Sequence, residues 1–204
     1  GHVNRVEEVI YGAGGKGINC TRVIAQLGHE VTATGFLGGF NGEFIINELE
    51  KMQVKSCFTK IDGETRICIA VADKQENHTE FLEPGPAVQP GEYSSWLESF
   101  DKLLDSTDVV TMSGSLPKGL AKDTYKQVIT MANNKGVKCF LDTSGEALIQ
   151  GVEAKPYFIK PNSDEISYIT GKSTNSLEEL SKAIKELLAK GISVVTVSLG
   201  GEGS

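Results

Sequence analysis

From residue 90 onward, short and almost wholly apolar runs alternate with amphipathic stretches of helical period, and this alternation leaves few possible architectures. Asp108-Val-Val-Thr-Met112, Val137-Lys-Cys-Phe-Leu141, Tyr157-Phe-Ile159 and Ile192-Ser-Val-Val-Thr-Val197 read as strands. A strand that is apolar on both faces must be covered on both, and the intervening helices are what can cover it. One helix opens at Pro90-Gly91 and carries Tyr93, Trp96, Leu97, Phe100, Leu103 and Leu104 on one face. A second carries Leu120, Tyr125, Val128, Ile129 and Ala132. A third follows a Ser176/Glu179 capping box, with an apolar stripe of Leu177, Leu180, Ile184, Leu187 and Leu188. The expected fold class is α/β, a mainly parallel sheet between two layers of helices.

The first ninety residues follow another pattern. Val3–Tyr11 and Thr65–Glu83 read as extended, the second as a hairpin turning near Gln75-Glu-Asn77. In the second, Ile67, Ile69 and Val71 alternate with Arg66, Cys68 and Ala70, as in a sheet packed on one face only. Between the two lie a helix (Cys20, Val23, Ile24, Leu27), a strand (Val31–Phe36) and another helix (Phe44, Ile45, Leu49). The expected organisation is a core of residues 12–64 and 84–204, with residues 1–11 and 65–83 forming a small β-flap able to close over a ligand.

Bulk properties narrow the function. A net charge of −7 without a basic cluster argues against nucleic acid or an anionic membrane as the main partner. No apolar run approaches the length of a membrane span. Cys20, Cys57, Cys68 and Cys139 form no C-x-x-C pair and read as small core residues of a reducing, cytoplasmic compartment. His2, His29 and His78 stand apart and form no metal pattern. At 204 residues the chain suits one domain of ordinary size. It begins at Gly1 rather than Met and stops just after a glycine loop, so both ends read as cut.

The chemistry concentrates in the loops after the core strands. These are Ser113-Gly-Ser-Leu-Pro-Lys-Gly119, Asp142-Thr-Ser-Gly-Glu146, Lys160-Pro-Asn-Ser-Asp-Glu165 and Ser198-Leu-Gly-Gly-Glu-Gly203. In a parallel sheet all of them emerge at the carboxyl edge, where open α/β folds bind ligands. Several have simpler readings: Asn162 with Glu165 makes a helix cap, Asp142 could cap the next helix, and the last glycines could be an ordinary turn. Arg66 is either a solvated surface residue or a bidentate phosphate clamp.

Gly12-Ala-Gly-Gly-Lys-Gly-Ile-Asn19 is the densest glycine segment and suits close approach to a phosphate or sugar. Gly12, Gly14 and Gly17 satisfy the dinucleotide pattern G-x-G-x-x-G. The next strand, however, ends in Phe36-Leu-Gly-Gly39 without the acidic residue that holds a ribose. Lys16 is not a Walker lysine, since no Ser or Thr follows it.

At these residues the chain resembles the ribokinase-like sugar kinases, in the phosphofructokinase B branch. Gly14-Gly-Lys-Gly-Ile-Asn19 resembles that family's first signature and Thr65-Arg66 its flap motif. Ser113–Gly119, Lys160-Pro-Asn162 with Glu165, and Ser198-Leu-Gly200 with Gly203 match the later motifs in order and spacing. Ala33–Gly39 and Thr79–Gly85 are most similar to the tagatose-6-phosphate kinases, with the 1-phosphofructokinases as near neighbours.

The resemblance implies a three-layer α/β/α core with a β-flap lid, ATP and Mg²⁺ as cofactors, and a homodimer formed through the flap. It implies that Gly15, Lys16, Gly17 and Asn19 hold sugar hydroxyls, that Arg66 binds the phosphate already on the sugar, and that Ser115 touches the same substrate. It likewise implies that Lys160 and Asn162 approach the nucleotide phosphates, that Glu165 organises Mg²⁺ through water, and that Ser198, Gly200 and Gly203 line the nucleotide pocket. Cys68 departs from an asparagine common in other branches, which puts one flap contact in question. The implied reaction is ATP-dependent phosphorylation of a ketohexose phosphate: tagatose 6-phosphate to the 1,6-bisphosphate, in lactose and galactose catabolism. Fructose 1-phosphate is the alternative acceptor.

The family's catalytic aspartate stands in a Gly-x-Gly-Asp signature that does not occur in these 204 residues. Asp142-Thr-Ser-Gly145 continues Glu-Ala-Leu and lacks the motif's aspartate, so Asp142 is not assigned as base. No catalytic residue is therefore assigned, and loss of a general base costs about 10²–10⁴-fold. Two other readings stand beside the kinase: a non-catalytic sugar-phosphate or nucleotide binding module, and a dinucleotide-dependent oxidoreductase.

Overall fold

The computed structural model describes all residues except 1, 2, 4, 74 and 76. The apolar runs pair as parallel strands, but in two sheets. β1 (Thr32–Leu37) and β2 (Lys55–Lys60) form a two-stranded parallel sheet. β3 (Cys68–Ala72) and β4 (His78–Leu82) form an antiparallel hairpin. β5 (Val109–Ser113), β6 (Lys138–Asp142), β7 (Phe158–Ile159) and β8 (Val194–Val195) make a four-stranded parallel sheet in chain order. Among the described residues seven α-helices connect them: α1 (Lys16–Gln26), α2 (Gly39–Lys51), α3 (Pro90–Leu104), α4 (Thr124–Asn134), α5 (Gly145–Glu153), α6 (Ser163–Thr170) and α7 (Leu177–Ala189).

The main core lies where the helices cover the four-stranded sheet. Ile129, Cys139, Ile159, Ile166 and Leu187 are fully inaccessible there, and each of the isoleucines and the leucine is worth roughly 1.5–3 kcal/mol of burial. A smaller core of Ala33, Leu49 and Val54 supports the first sheet. α3 joins the two: the Trp96 indole N–H donates to Thr34 Oγ1 at 3.0 Å, and its ring lies 5.3 Å from Phe36 and 5.0 Å from Phe100.

Several details differ from the sequence reading. β2 occupies a stretch read as neither strand nor helix. Its polar ends and half-buried centre are those of an edge strand without a clear period. Of the segment read as extended at 3–11, the described residues 3 and 5–11 carry no strand, so the hairpin stands as a sheet by itself. The turn read near residues 75–77 falls partly outside the described residues. Cys139 is buried as expected, whereas Cys68 is exposed on the hairpin. Of the expected α7 stripe, Leu180 and Leu187 are buried together with Ala183, whereas Leu177 and Leu188 stay exposed. His2 lies outside the described residues, and among the described residues no three His, Cys, Asp or Glu side chains gather as a metal group. Among the described residues no helix is long and apolar enough to cross a membrane.

Candidate active site

The glycine segment ends where α1 begins. Gly15 is the N-cap with φ +100°, a backbone region closed to most L-residues, which lets the chain turn sharply into the helix. Lys16, Gly17 and Asn19 thus belong to the first turn of α1 rather than to a loop. Arg22, one turn on, folds back and donates to the Ala13 carbonyl at 2.5 Å and to Asn19 Oδ1 at 3.5 Å. The approach to the helix is therefore fixed from inside, while Gly15, Lys16, Gly17 and Asn19 face solvent.

The loop after β5 is pinned to the end of β6. Gly114 takes φ +98°, its N–H donates to the Asp142 carbonyl at 2.9 Å, and its carbonyl accepts from Tyr125 Oη and Thr143 Oγ1, each at 2.9 Å. A Cβ added at Gly114 would lie 3.8 Å from the Lys16 Cβ, so this turn lies directly against the start of α1. Burial, reinforced by the negative charge of Asp142, pushes the Tyr125 phenol up to about 12, so it remains a proton donor to Gly114. Ser115 follows with its side chain exposed.

Two lysines converge on Asp142. Its Oδ2 lies 3.7 Å from Lys16 Nζ and its Oδ1 3.5 Å from Lys160 Nζ. The possible capping role of Asp142 is not what the structure has: Ser144 is the N-cap of α5, with no side-chain cap bond.

Lys160 leads into the N-terminus of α6. Asn162 Oδ1 accepts from the Glu165 N–H at 2.8 Å, and Glu165 Oε2 accepts from the Asn162 N–H at 2.9 Å, a reciprocal capping box. Asn162 also forms a parallel bridge with Ser198, whose N–H donates to the Pro161 carbonyl at 3.1 Å. That bridge brings the Lys160–Asn162 and Ser198–Gly203 segments side by side. A Cβ at Gly200, Gly201 or Gly203 would meet nothing within 4 Å, so this turn borders open space.

Arg66 sits apart, on a backbone zip between residues 38–41 and 64–65. Glu64 accepts from the N–H groups of Phe40 at 3.2 Å and Asn41 at 2.6 Å, at the N-terminus of α2. Thr65 Oγ1 accepts from the Gly38 N–H at 2.8 Å, and Asn41 Nδ2 donates to the Thr65 carbonyl at 2.7 Å. Arg66 Nη1 donates to the Glu83 carbonyl at 3.4 Å, leaving most of the guanidinium exposed. The structure thus groups Lys16, the Ser113–Gly119 loop, Lys160, Asn162, Ser198, Gly200 and Gly203 along one edge, whereas the hydrogen bond of Arg66 goes to Glu83 on the hairpin side.

These residues suit a nucleotide through an ammonium group, an open glycine turn and exposed backbone amides. They offer no dedicated cage for Mg²⁺, and Glu165 is already engaged in its capping box. A magnesium ion here would arrive on phosphate oxygens, with Glu165 acting through water. Sequence reasoning missed Tyr125, Thr143 and Glu64. Tyr125 was hidden in an apolar stripe, and Thr143 shows itself only as a buried polar residue beside a loop.

Residues 1–204 match the model of the family described as "pfkB family carbohydrate kinase". Among solved structures, the chain is 29% identical to phosphofructokinase-2 from Escherichia coli in complex with fructose-6-phosphate, with a TM-score of 0.84 over 93% of this chain and 63% of that one. A Staphylococcus aureus protein described provisionally as a phosphofructokinase is 35% identical, with a TM-score of 0.84 over 99% and 65%. A Thermotoga maritima protein described as a possible 1-phosphofructokinase is 28% identical, with a TM-score of 0.84 over 97% and 65%. The chain spans less than two thirds of each of these relatives.

Proposed function

Because the chain belongs to the pfkB family of carbohydrate kinases, we propose that the protein phosphorylates a ketohexose phosphate with ATP, and that tagatose 6-phosphate is the acceptor. The carrying observation is that Lys16 and Lys160, on elements that reach the carboxyl edge from opposite sides, meet at one carboxylate. Phosphoryl transfer asks a protein mainly for positioning and for neutralisation of developing charge. Lys16 and Asn19 hold the sugar hydroxyls at the start of α1. Arg66, presented by the Glu64–Thr65 zip, takes the phosphate already on the sugar. Lys160, Asn162 and the Ser198–Gly203 turn receive the nucleotide phosphates. Bound Mg²⁺ supplies further charge neutralisation, which Glu165 supports through water. None of these 204 residues is assigned the acceptor proton.

The choice of a six-phosphorylated ketose rests on the relative that binds fructose-6-phosphate and on the segments Ala33–Gly39 and Thr79–Gly85. Fructose 1-phosphate is the second reading, favoured by the relative described as a possible 1-phosphofructokinase. The hairpin supports a homodimer, since Ile69, Val71 and Phe81 share one exposed face. The reducing-compartment cysteines agree with a cytoplasmic setting.

A coupled ADP-release assay on the full-length protein with tagatose 6-phosphate, fructose 6-phosphate and fructose 1-phosphate tests the reading. The highest kcat/KM is expected with tagatose 6-phosphate. A preference for fructose 1-phosphate selects the second reading, and no turnover with any of the three overturns both.

A further inference from the structure

We propose that Asp142 is a positioning residue for phosphoryl transfer: its carboxylate is the shared counter-ion that gathers the ammonium groups of Lys16 and Lys160 where the two substrates meet. This rests on the kinase reading, and it assigns a role to a residue that the family motifs above leave without one.

The geometry is specific. Asp142 closes β6, Lys16 opens α1, and Lys160 follows β7, so three separate elements contribute to one charge cluster. The base of the cluster is fixed from below. The Asp142 carbonyl accepts from the Gly114 N–H, and the Gly114 carbonyl is held by half-buried Tyr125 and by buried Thr143, which adjoins Asp142 in sequence. The carboxylate pairs with both lysines, one on each oxygen.

Two ammonium groups gathered without a counter-charge would repel each other and turn to solvent. A single carboxylate between them leaves a net charge of one positive unit, directed at the place two anionic ligands must share. Each Nζ–O separation, 3.7 and 3.5 Å, is an ion-pair distance rather than a tight hydrogen bond. Either lysine can therefore swing to an incoming phosphate or hydroxyl without breaking a strong bond. The lysine side chains are 62% and 43% exposed, so the cluster adds little to stability. Its value lies in orientation.

The test is Asp142→Asn in the full-length protein, with Asp142→Ser as a second variant in case the first folds poorly. Steady-state kinetics are read alongside isothermal titration of MgATP. With the lysines no longer gathered, kcat should fall on the order of tenfold or more. With a negative charge removed from beside the phosphates, MgATP should bind about threefold more tightly. Asp142→Glu should recover part of kcat, and the melting temperature should stay near that of the unmodified protein. A merely structural role cannot lower kcat and tighten nucleotide binding together. Unchanged kcat overturns the proposal, as does MgATP affinity that weakens along with kcat. If the unmodified protein transfers phosphate to no sugar phosphate, the kinase reading fails by itself, and the MgATP titration of the variants still decides whether Asp142 restrains Lys160.

Discussion

Tyr125 shows how one largely buried hydroxyl ties the loop after β5 to the core. Its phenol donates to the Gly114 carbonyl at 2.9 Å, from a site where burial, and then the charge of Asp142, raises its pKa from 10.0 to about 12. The unfolded chain loses this proton near its ordinary value while the folded protein keeps it. Between the two values the folded state binds more protons, so stability is complete below about pH 10 and declines as pH rises towards 12. Two pK units correspond to about 3 kcal/mol at most. Urea unfolding between pH 9 and 12 should therefore show a steeper alkaline loss in the unmodified protein than in Tyr125→Phe. Parallel curves would show that the phenol ionises alike in both states. The sequence disclosed Tyr125 only as part of a helical stripe, because spacing reveals burial and not what a hydroxyl reaches.

Among the elements, legibility followed the range of the interactions involved. The α6 cap could be read from Asn162 and Glu165, since both halves of the box lie within one turn. The corresponding pattern at α7 is only half realised: Ser176 accepts from the Glu179 N–H, but the Glu179 carboxylate accepts from Ser173 Oγ and the Asn175 N–H instead. The β3–β4 hairpin was visible in its alternation, whereas β2 was not, because its pairing with β1 is parallel and set by a helix-length excursion. The zip between α2 and Arg66 was equally hidden: its side chain–backbone bonds join residues far apart in sequence, and beside them the backbone packs closely at Gly38. A Cβ at Gly38 would lie 2.2 Å from the Gly63 carbonyl oxygen and 2.6 Å from that of Ile61. Gly38→Ala must push two backbone segments apart, at a cost of roughly 1–3 kcal/mol. Gly91→Ala, in the first turn of α3 with nothing within 4 Å of the added carbon, should be neutral or slightly stabilising. Chemical denaturation of both variants checks the contrast, and equal stabilities would mean that the zip yields freely.

At the scale of the whole molecule, the open question is whether two sheets act as one folding unit, and a single side chain reports on it. The chain's one tryptophan, Trp96, belongs to the main core through Phe100 and reaches the first sheet through Phe36 and Thr34. Thr34 Oγ1 passes the link on by donating to the Cys57 carbonyl at 2.7 Å, so α3, β1 and β2 are joined in series. If that junction couples the sheets, tryptophan fluorescence and far-ultraviolet circular dichroism should lose native signal at the same urea concentration. Thr34→Val keeps the shape of the side chain but removes both the acceptor for the indole and the donor to Cys57. It should lower stability by about 1–3 kcal/mol, since polar groups at a partly buried site lose their partner. It should also move both probes together, because the aromatic packing of Phe36, Trp96 and Phe100 remains. A fluorescence transition at lower urea than the dichroism transition, in the unmodified protein, would mean that the β1–β2 sheet opens alone. The surface carrying Arg66 would then be only as ordered as that smaller unit.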